Sequence, residues 1–269
     1  MEAQYATEGL TAAIRRALEQ SGKSIDSIGP EDLAPIDELH VRGRKATLEL
    51  AERLQLTPEM RVLDVGSGLG GPSRLLADTY GCEVTGIDLS ASFCETATAL
   101  AGWTGLGALV DYRAADALDM PFGDESFDVV WSQHASMNIE DKEALYAETR
   151  RVLHPGGRFA LYDVLQGPGG EVRYPVPWAG DSSISHLATA EELRRLLTRA
   201  GFKILHWEDR TEAGRDWFAR MAEKAQGAPR RPLGVHLIFG DAFKAMMENQ
   251  RRNLEEGRVA LVEAVCRRI

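Results

Sequence analysis

The sequence is poor in cysteine, short of basic charge and without any long apolar run. Its three cysteines, Cys82, Cys94 and Cys266, are odd in number and scattered. No C-x-x-C pair is present, so neither a disulfide framework nor a zinc or dithiol site is expected, and all three read as small buried hydrophobes. Acidic residues outnumber basic ones, 41 to 31, for a net charge of −10. That balance argues against a nucleic-acid partner, which would want a positive face. No apolar stretch approaches the roughly 20 residues that span a bilayer. Met1–Tyr5 lacks the basic-then-apolar order of a signal peptide. The expectation is a cytoplasmic protein that binds no nucleic acid, spans no membrane and acts on a small molecule. Nothing in the sequence indicates an oligomeric state.

What the chain does have is a glycine-broken turn, Arg61-Val-Leu-Asp-Val-Gly-Ser-Gly-Leu-Gly-Gly-Pro-Ser73. Val62, Leu63 and Val65 suit a buried parallel strand, and Leu75, Leu76 and Ala77 resume as a helix. Between them, glycines let the backbone approach a ligand lying over the turn. Gly66, Gly68 and Gly71 also satisfy the G-x-G-x-x-G dinucleotide spacing, so a nicotinamide-dependent oxidoreductase is one reading. Asp64 at the turn's entry argues against it. A pyrophosphate would be repelled there, whereas the ammonium and sulfonium of S-adenosylmethionine (SAM) would be attracted.

The remaining chain reads as alternating helices and strands. Leu10, Ala13, Ile14, Ala17 and Leu18 form one face of a first helix, ended by Ser21-Gly22. A linker with Pro30 and Pro35 leads to a polar turn holding His40, Arg42 and Arg44, then to a helix over 46–54. Strands follow at Cys82–Asp88, from Leu109, at Val129–Trp131, Arg158–Leu165, Phe202–Trp207 and Val259–Cys266. Asp88 closes the second strand, where an acid can accept both ribose hydroxyls of a nucleotide-type ligand. Ser90 reads as a helix N-cap, and Thr189-x-x-Glu192 as a capping box. Ser132–Asn138, including Gln133, His134 and Asn138, follows the fourth strand's carboxyl end, where open parallel sheets bind ligands. His134 is the sharpest candidate proton acceptor, with a histidine satisfied by a backbone carbonyl as the equally weighted alternative. The aperiodic stretch from Gln166 to Leu187 is long enough to suggest a pocket wall, with Trp178 and His186 lining it.

The segment Leu63-Asp64-Val65-Gly66-Ser67-Gly68-Leu69-Gly70 resembles motif I of the class I SAM-dependent methyltransferases. Asp88, the Asp116-Ala117 pair, the Pro121-Phe122 and Ser126-Phe127-Asp128 pattern and the His154-Pro-Gly-Gly157 turn occur in the order that family shows. Over the whole chain the sequence is similar to the sarcosine/dimethylglycine N-methyltransferases and to the tocopherol, ubiquinone and sterol C-methyltransferases. The resemblance implies an α/β, Rossmann-like sheet of seven mostly parallel strands with helices on both faces. To this it adds an N-terminal helical lid (1–58) ahead of the core (59–269) and a helical cap inserted at about 208–258. It implies SAM as methyl donor, with S-adenosylhomocysteine (SAH) as product. Asp64, Gly66, Ser67, Gly68, Gly70, Asp88, Leu89, Asp116, Ala117 and Gln133 would hold it, with Asp116 on the adenine amino group and Leu89 against the ring. His134, His186 and His40 are the candidate bases; Asn138, Trp178 and Arg44 the candidate acceptor contacts; no metal is implied. N-methylation of a small amine or amino acid is the first expectation, C- or O-methylation of a prenyl, phenolic or quinol compound the second. A SAM-binding protein without catalysis is a third.

Overall fold

The computed structural model describes residues 9–225 and 231–269; Met1–Tyr5 lies outside them. Its strands are β1 (Arg61–Val65), β2 (Glu83–Asp88), β3 (Val110–Ala114), β4 (Phe127–Gln133), β5 (Leu153–Gln166), β6 (Phe202–Asp209) and β7 (Val259–Arg268). They form one sheet in the order β3-β2-β1-β4-β5-β7-β6. β7 runs antiparallel to both neighbours; the other pairs are parallel. The expected seven-stranded, mostly parallel sheet is therefore present. From β1 the chain builds outward through β2 and β3 on one side, then returns to lay β4 and β5 on the other. That reversal opens a crevice at the carboxyl ends of β1, β2 and β4, the place where such sheets bind ligands.

Alternation along the strands feeds two cores. Val62 and Trp131 face one layer with Leu50 and Leu261; Leu63, Val65 and Val130 face the other with Leu145 and Leu197, as the period of two requires. Helices α1 (Leu10–Gln20), α2 (Pro30–Asp37) and α3 (Arg44–Ala51) precede the sheet. The crossover helices are α4 (Gly71–Tyr80), α5 (Ala91–Trp103), α6 (Lys142–Val152) and α7 (Ala190–Arg199). Between β6 and β7 come α8 (Thr211–Ala225), the single turn α9 (His236–Phe239) and α10 (Phe243–Glu255). A third core joins Leu10, Ile14 and Ile36 of the N-terminal helices to Leu69, Phe93 and Ile238. The N-terminal segment and the cap thus meet over the same crevice.

Local signals mostly hold. Ser90 accepts the Phe93 N–H at 3.3 Å, and Thr189 and Glu192 bond reciprocally at 2.8 and 3.2 Å. The cysteines are buried and unpaired. Several boundaries differ; β4 begins at Phe127 rather than Val129. The expected linker contains α2, because Pro30 sits in the first turn, where no N–H is needed, and Asp32 accepts the Gly29 N–H at 3.0 Å. α3 begins and ends earlier than 46–54. β5 begins at Leu153, so the His154–Gly157 turn lies within an irregular first part whose register against β4 shifts between Phe127 and Val129. Among the described residues no helix is long and apolar enough to cross a membrane.

Candidate active site

A cavity of about 860 Å³ occupies the crevice, within the range of about 300–1,000 Å³ usual for ligand pockets. The glycine turn makes one wall. Gly66 adopts φ +77°, and a Cβ there would come within 2.5 Å of the Ala135 Cβ, so only glycine lets the β1 and β4 ends close together. The Gly68 N–H donates to Asp88 Oδ2 at 3.0 Å, and the Ser90 N–H to Oδ1 at 2.9 Å. Each Asp88 oxygen is held and still has lone-pair capacity toward the cavity. Asp116 is ordered by the Leu118 N–H at 2.9 Å, and Leu89 is 47% exposed at the rim. Ser67, Ala117 and Gln133 complete this half.

Two residues assigned to the cofactor lie behind the wall rather than on it. Asp64 is 2% exposed and accepts the Ser73 hydroxyl at 2.6 Å. Burial, with a smaller push from the Asp88 charge, raises it to about 7 against the bonding from Ser73. Gly70 packs against Tyr112, whose hydroxyl donates to the Gly70 carbonyl at 3.1 Å; its role is to admit that ring. Because Asp64 titrates near 3.8 when unfolded and near 7 when folded, its contribution to stability is intact below pH 4. It is lost as pH rises through 7, since the unfolded chain ionises first. The Asp64→Asn variant should therefore gain on the parent in urea midpoint between pH 4.5 and 7.5 and stay level above that. A constant difference across the range would count against it.

A second part of the lining rests on a hydrogen-bonded chain running from the sheet to the N-terminal segment. The Trp131 indole N–H, which can only donate, bonds Gln133 Oε1 at 3.1 Å and so fixes the amide's orientation. The Thr47 hydroxyl donates to the same oxygen at 3.1 Å. Its proton is thereby committed, so its 3.1 Å contact with His40 Nε2 must use Nε2 as donor, as does the Gly43 carbonyl at 3.1 Å. His40, which lines the cavity, is thus the Nε2-protonated tautomer, leaving the lone pair on Nδ1. Burial, with a smaller push from Arg42, lowers His40 to about 4 despite the Gly43 carbonyl. The His134 ring lies 6.0 Å from His40 and 5.1 Å from Tyr162. His134 holds an uncommon φ of +51°, fixed by its N–H bonding the Tyr162 carbonyl at 2.8 Å. Burial and the His40 ring keep it well below the ordinary histidine value.

His186 reaches the cavity from the long loop, tied by its N–H to the Met137 carbonyl at 2.7 Å. All three candidate histidines therefore meet in one space. Trp178 lines it too, its indole bonded to Ser185 Oγ at 2.9 Å. Asn138 borders the cavity but its amide is engaged by the Trp178 and Ile184 carbonyls at 2.7 and 2.9 Å, so it braces the loop. Arg44, expected as an acceptor contact, lies outside the cavity lining; its charge acts on Asp37 and Glu38. The sequence reading missed Asp37, Thr47 and Gln250. The buried Asp37 pairs with Arg74 at 2.6 Å, and only their meeting in space shows it. Away from the cavity, His206, Glu208 and Glu263 bring three potential ligand atoms within 4.8 Å of one another. Arg53 and Arg210 already bond both carboxylates there.

These features fit SAM better than a dinucleotide. Asp37, Asp88, Asp116, Glu140 and Asp141 line the cavity, and among the described lining residues there is no lysine or arginine. Residues 63–161 match the family described as methyltransferase domain. O-methyltransferase resE of Aspergillus sclerotiorum is 32% identical over 184 residues, 66% of this chain and 68% of that protein. The chain therefore belongs to the SAM-dependent methyltransferases, and S-adenosylmethionine is its cofactor. The glycine/sarcosine/dimethylglycine N-methyltransferase of Actinopolyspora halophila is 28% identical over 219 residues, but this chain spans only 38% of its length. Geranyl diphosphate C-methyltransferase of Streptomyces coelicolor A3(2), solved with SAH, shares the fold with a TM-score of 0.69 at 19% identity, over 98% of this chain and 99% of that one.

Thr47→Val tests the chain of bonds. It should lower kcat about 30-fold, in line with roughly 1 kcal/mol for each of the two lost hydrogen bonds, while the SAM Kd changes less than twofold. Thr47→Ser should restore it. A shift in SAM affinity alone would contradict the assignment.

Proposed function

We propose that this protein transfers a methyl group from SAM to an oxygen or carbon of a small molecule bound in the same cavity. The observation that supports this most is the His40–Thr47–Gln133–Trp131 chain, which holds a neutral imidazole on the same cavity that the glycine turn and Asp88 line. When bound, SAM supplies an electrophilic methyl on a cationic sulfur; the protein's part is alignment and proton removal. Asp88 and Asp116 would orient the nucleoside, and the glycine turn would admit the rest of the cofactor. Holding an acceptor in line supplies several kcal/mol of the barrier without any covalent step on the enzyme.

The histidines bear on which atom is methylated. An alkylammonium, like lysine, titrates at about 10.4 and must lose its proton before it can attack. Burial holds His40 below the ordinary histidine value, so it is a poor acceptor for a proton from such an ammonium. A hydroxyl oxygen or an alkene carbon already has its electron pair. Its proton becomes strongly acidic only as the methyl bond forms, so a weak base suffices. The likeness to the A. halophila enzyme keeps amine methylation as the second reading. The N-terminal helices, through Asp37, Leu39 and His40, and the cap, through Phe239 and Gln250, would close over the bound pair as a lid.

Incubation with methyl-labelled SAM and two acceptor panels, phenols and prenols against glycine, sarcosine and simple amines, tests this by mass spectrometry. Label on oxygen or carbon is expected. Label confined to nitrogen would overturn the oxygen-or-carbon reading.

A further inference from the structure

Next to His40 lies a buried carboxyl oxygen that no hydrogen bond satisfies. Glu38 caps the carboxyl end of α2. The turn through Gly43, at φ +51°, folds the start of α3 back over it, so that a Cβ on Gly43 would stand 3.6 Å from the Glu38 Cβ. This brings Glu38 Oε2 to 3.4 Å from His40 Nε2, with side chains 6% and 3% exposed. The single Nε2–H already meets the Gly43 carbonyl and the Thr47 hydroxyl, both at 3.1 Å; Glu38 is a third acceptor on the same side of the ring. His40 lines the cavity, whereas Glu38 lies outside the lining. Among the described residues Glu38 Oε2 has no hydrogen-bond partner, a state that a buried polar atom rarely keeps without a use. The other charges facing Glu38 are Asp37 beside it on α2, Arg44 at the start of α3 and Arg74 on α4. Arg74 is held by Asp37 at 2.6 Å.

We propose that Glu38 is a positioning residue for His40: its carboxylate faces Nε2–H, reserves Nδ1 for the acceptor's proton and stabilises the imidazolium that forms. This rests on the methyltransferase reading of the cavity, with His40 as its base, and deepens it. For an oxygen acceptor, the O–H bond breaks, the proton bonds Nδ1 and the electron pair stays on oxygen. The methyl passes from sulfur to that oxygen, leaving SAH. The ring then carries a buried positive charge, which is costly unless an opposite charge stands against it. A carboxylate on one imidazole nitrogen fixes the tautomer and lowers that cost. The 3.4 Å contact is long while the ring is neutral, and bonds of this kind tighten in the reacting complex. Burial, then the Asp37 charge, raise Glu38 to about 8 against the pull of Arg44 and Arg74. Ionised Glu38 is the working form, so its support for His40 is absent well below that pH and grows as pH rises through it.

The test is a pH series of long-range proton–nitrogen correlation spectra of the full chain, labelled in histidine and saturated with SAH. His40 is assigned by its loss in His40→Gln. In the parent, the His40 Nε2 and ring-proton resonances should step as pH passes about 8, with Nε2 the protonated nitrogen of a neutral ring. Glu38→Gln keeps the shape and removes the charge, and should lose that step. The Glu38 carboxyl carbon of the parent, assigned through the backbone, should titrate with the same midpoint, so the result does not depend on how well the variant folds. With an acceptor that takes label, Glu38→Gln should also lower kcat about tenfold above the midpoint, with the SAM Kd within about twofold of the parent. A His40 ring without the step, a step unchanged in Glu38→Gln, a different carboxyl midpoint or an unchanged kcat would overturn the proposal. SAH binding is read beforehand by calorimetry, so a failure of the methyltransferase reading is seen separately from a failure of this one.

Discussion

Asp88→Ala should weaken SAM binding about 100-fold. Asp88 stands at the carboxyl end of β2 with one oxygen on the Gly68 N–H and the other on the Ser90 N–H. The carboxylate is therefore fixed before any ligand arrives, and no ordering remains to be done on binding. Hydrogen bonds to a charged group contribute roughly 1.5–3 kcal/mol each. Two ribose hydroxyls would give 3 or more, and 100-fold corresponds to about 2.7 kcal/mol after some loss to water. Asp88→Asn keeps one acceptor oxygen and should fall between. The glycine turn loses its Gly68 contact in the alanine variant, so a circular-dichroism melt within a few degrees of the parent must accompany the result. Equilibrium dialysis with labelled SAM that finds equal affinity in Asp88→Ala and parent would remove Asp88 from the site.

Arg74→Met should be the most destabilising single change, at about 3–5 kcal/mol. Arg74 has no exposed surface, and its guanidinium meets Asp37 at 2.6 Å, with the Ala97 carbonyl and Tyr112 hydroxyl at 3.4 Å. It ties the end of α2 to the first turns of α4. The contact is close enough that a Cβ on Gly71 would come within 2.4 Å of the Asp37 carbonyl oxygen. Removing Arg74 leaves Asp37 buried without its partner beside Glu38, which burial and the Asp37 charge already raise to about 8. Combining Arg74→Met with Asp37→Asn removes that unpaired charge, and urea unfolding should recover half or more of the loss. A double variant no more stable than Arg74→Met alone would show that the loss comes from packing and not from the ion pair.

The sheet was legible because its signals are local. β1 and β2 are short apolar runs that stop at glycine or aspartate, and the caps at Ser90 and Thr189 name their helices. α2 was hidden because proline reads as a breaker unless its position in the first turn is known. The cavity residues proposed to hold the cofactor were legible for the same reason as the strands, since Gly66, Gly68 and Asp88 lie in or directly after them. Asp64 and Gly70 belong to the same motif yet lie one layer deeper, a distinction that periodicity does not carry. The rest of the cavity lining comes from segments far apart in the chain. Thr47 and Gln133 are 86 residues apart and meet only through the fold, so no spacing rule could pair them. The tautomer of His40 follows from Trp131, a residue that looks like ordinary core in the sequence.

The most direct test of the site is calorimetric titration of the full chain with SAM, SAH and NAD in turn. The acid-lined cavity and the fixed Asp88 predict one-to-one binding of SAM and SAH and no heat with NAD. Binding of NAD with SAM silent would contradict the assignment of this cavity at its root.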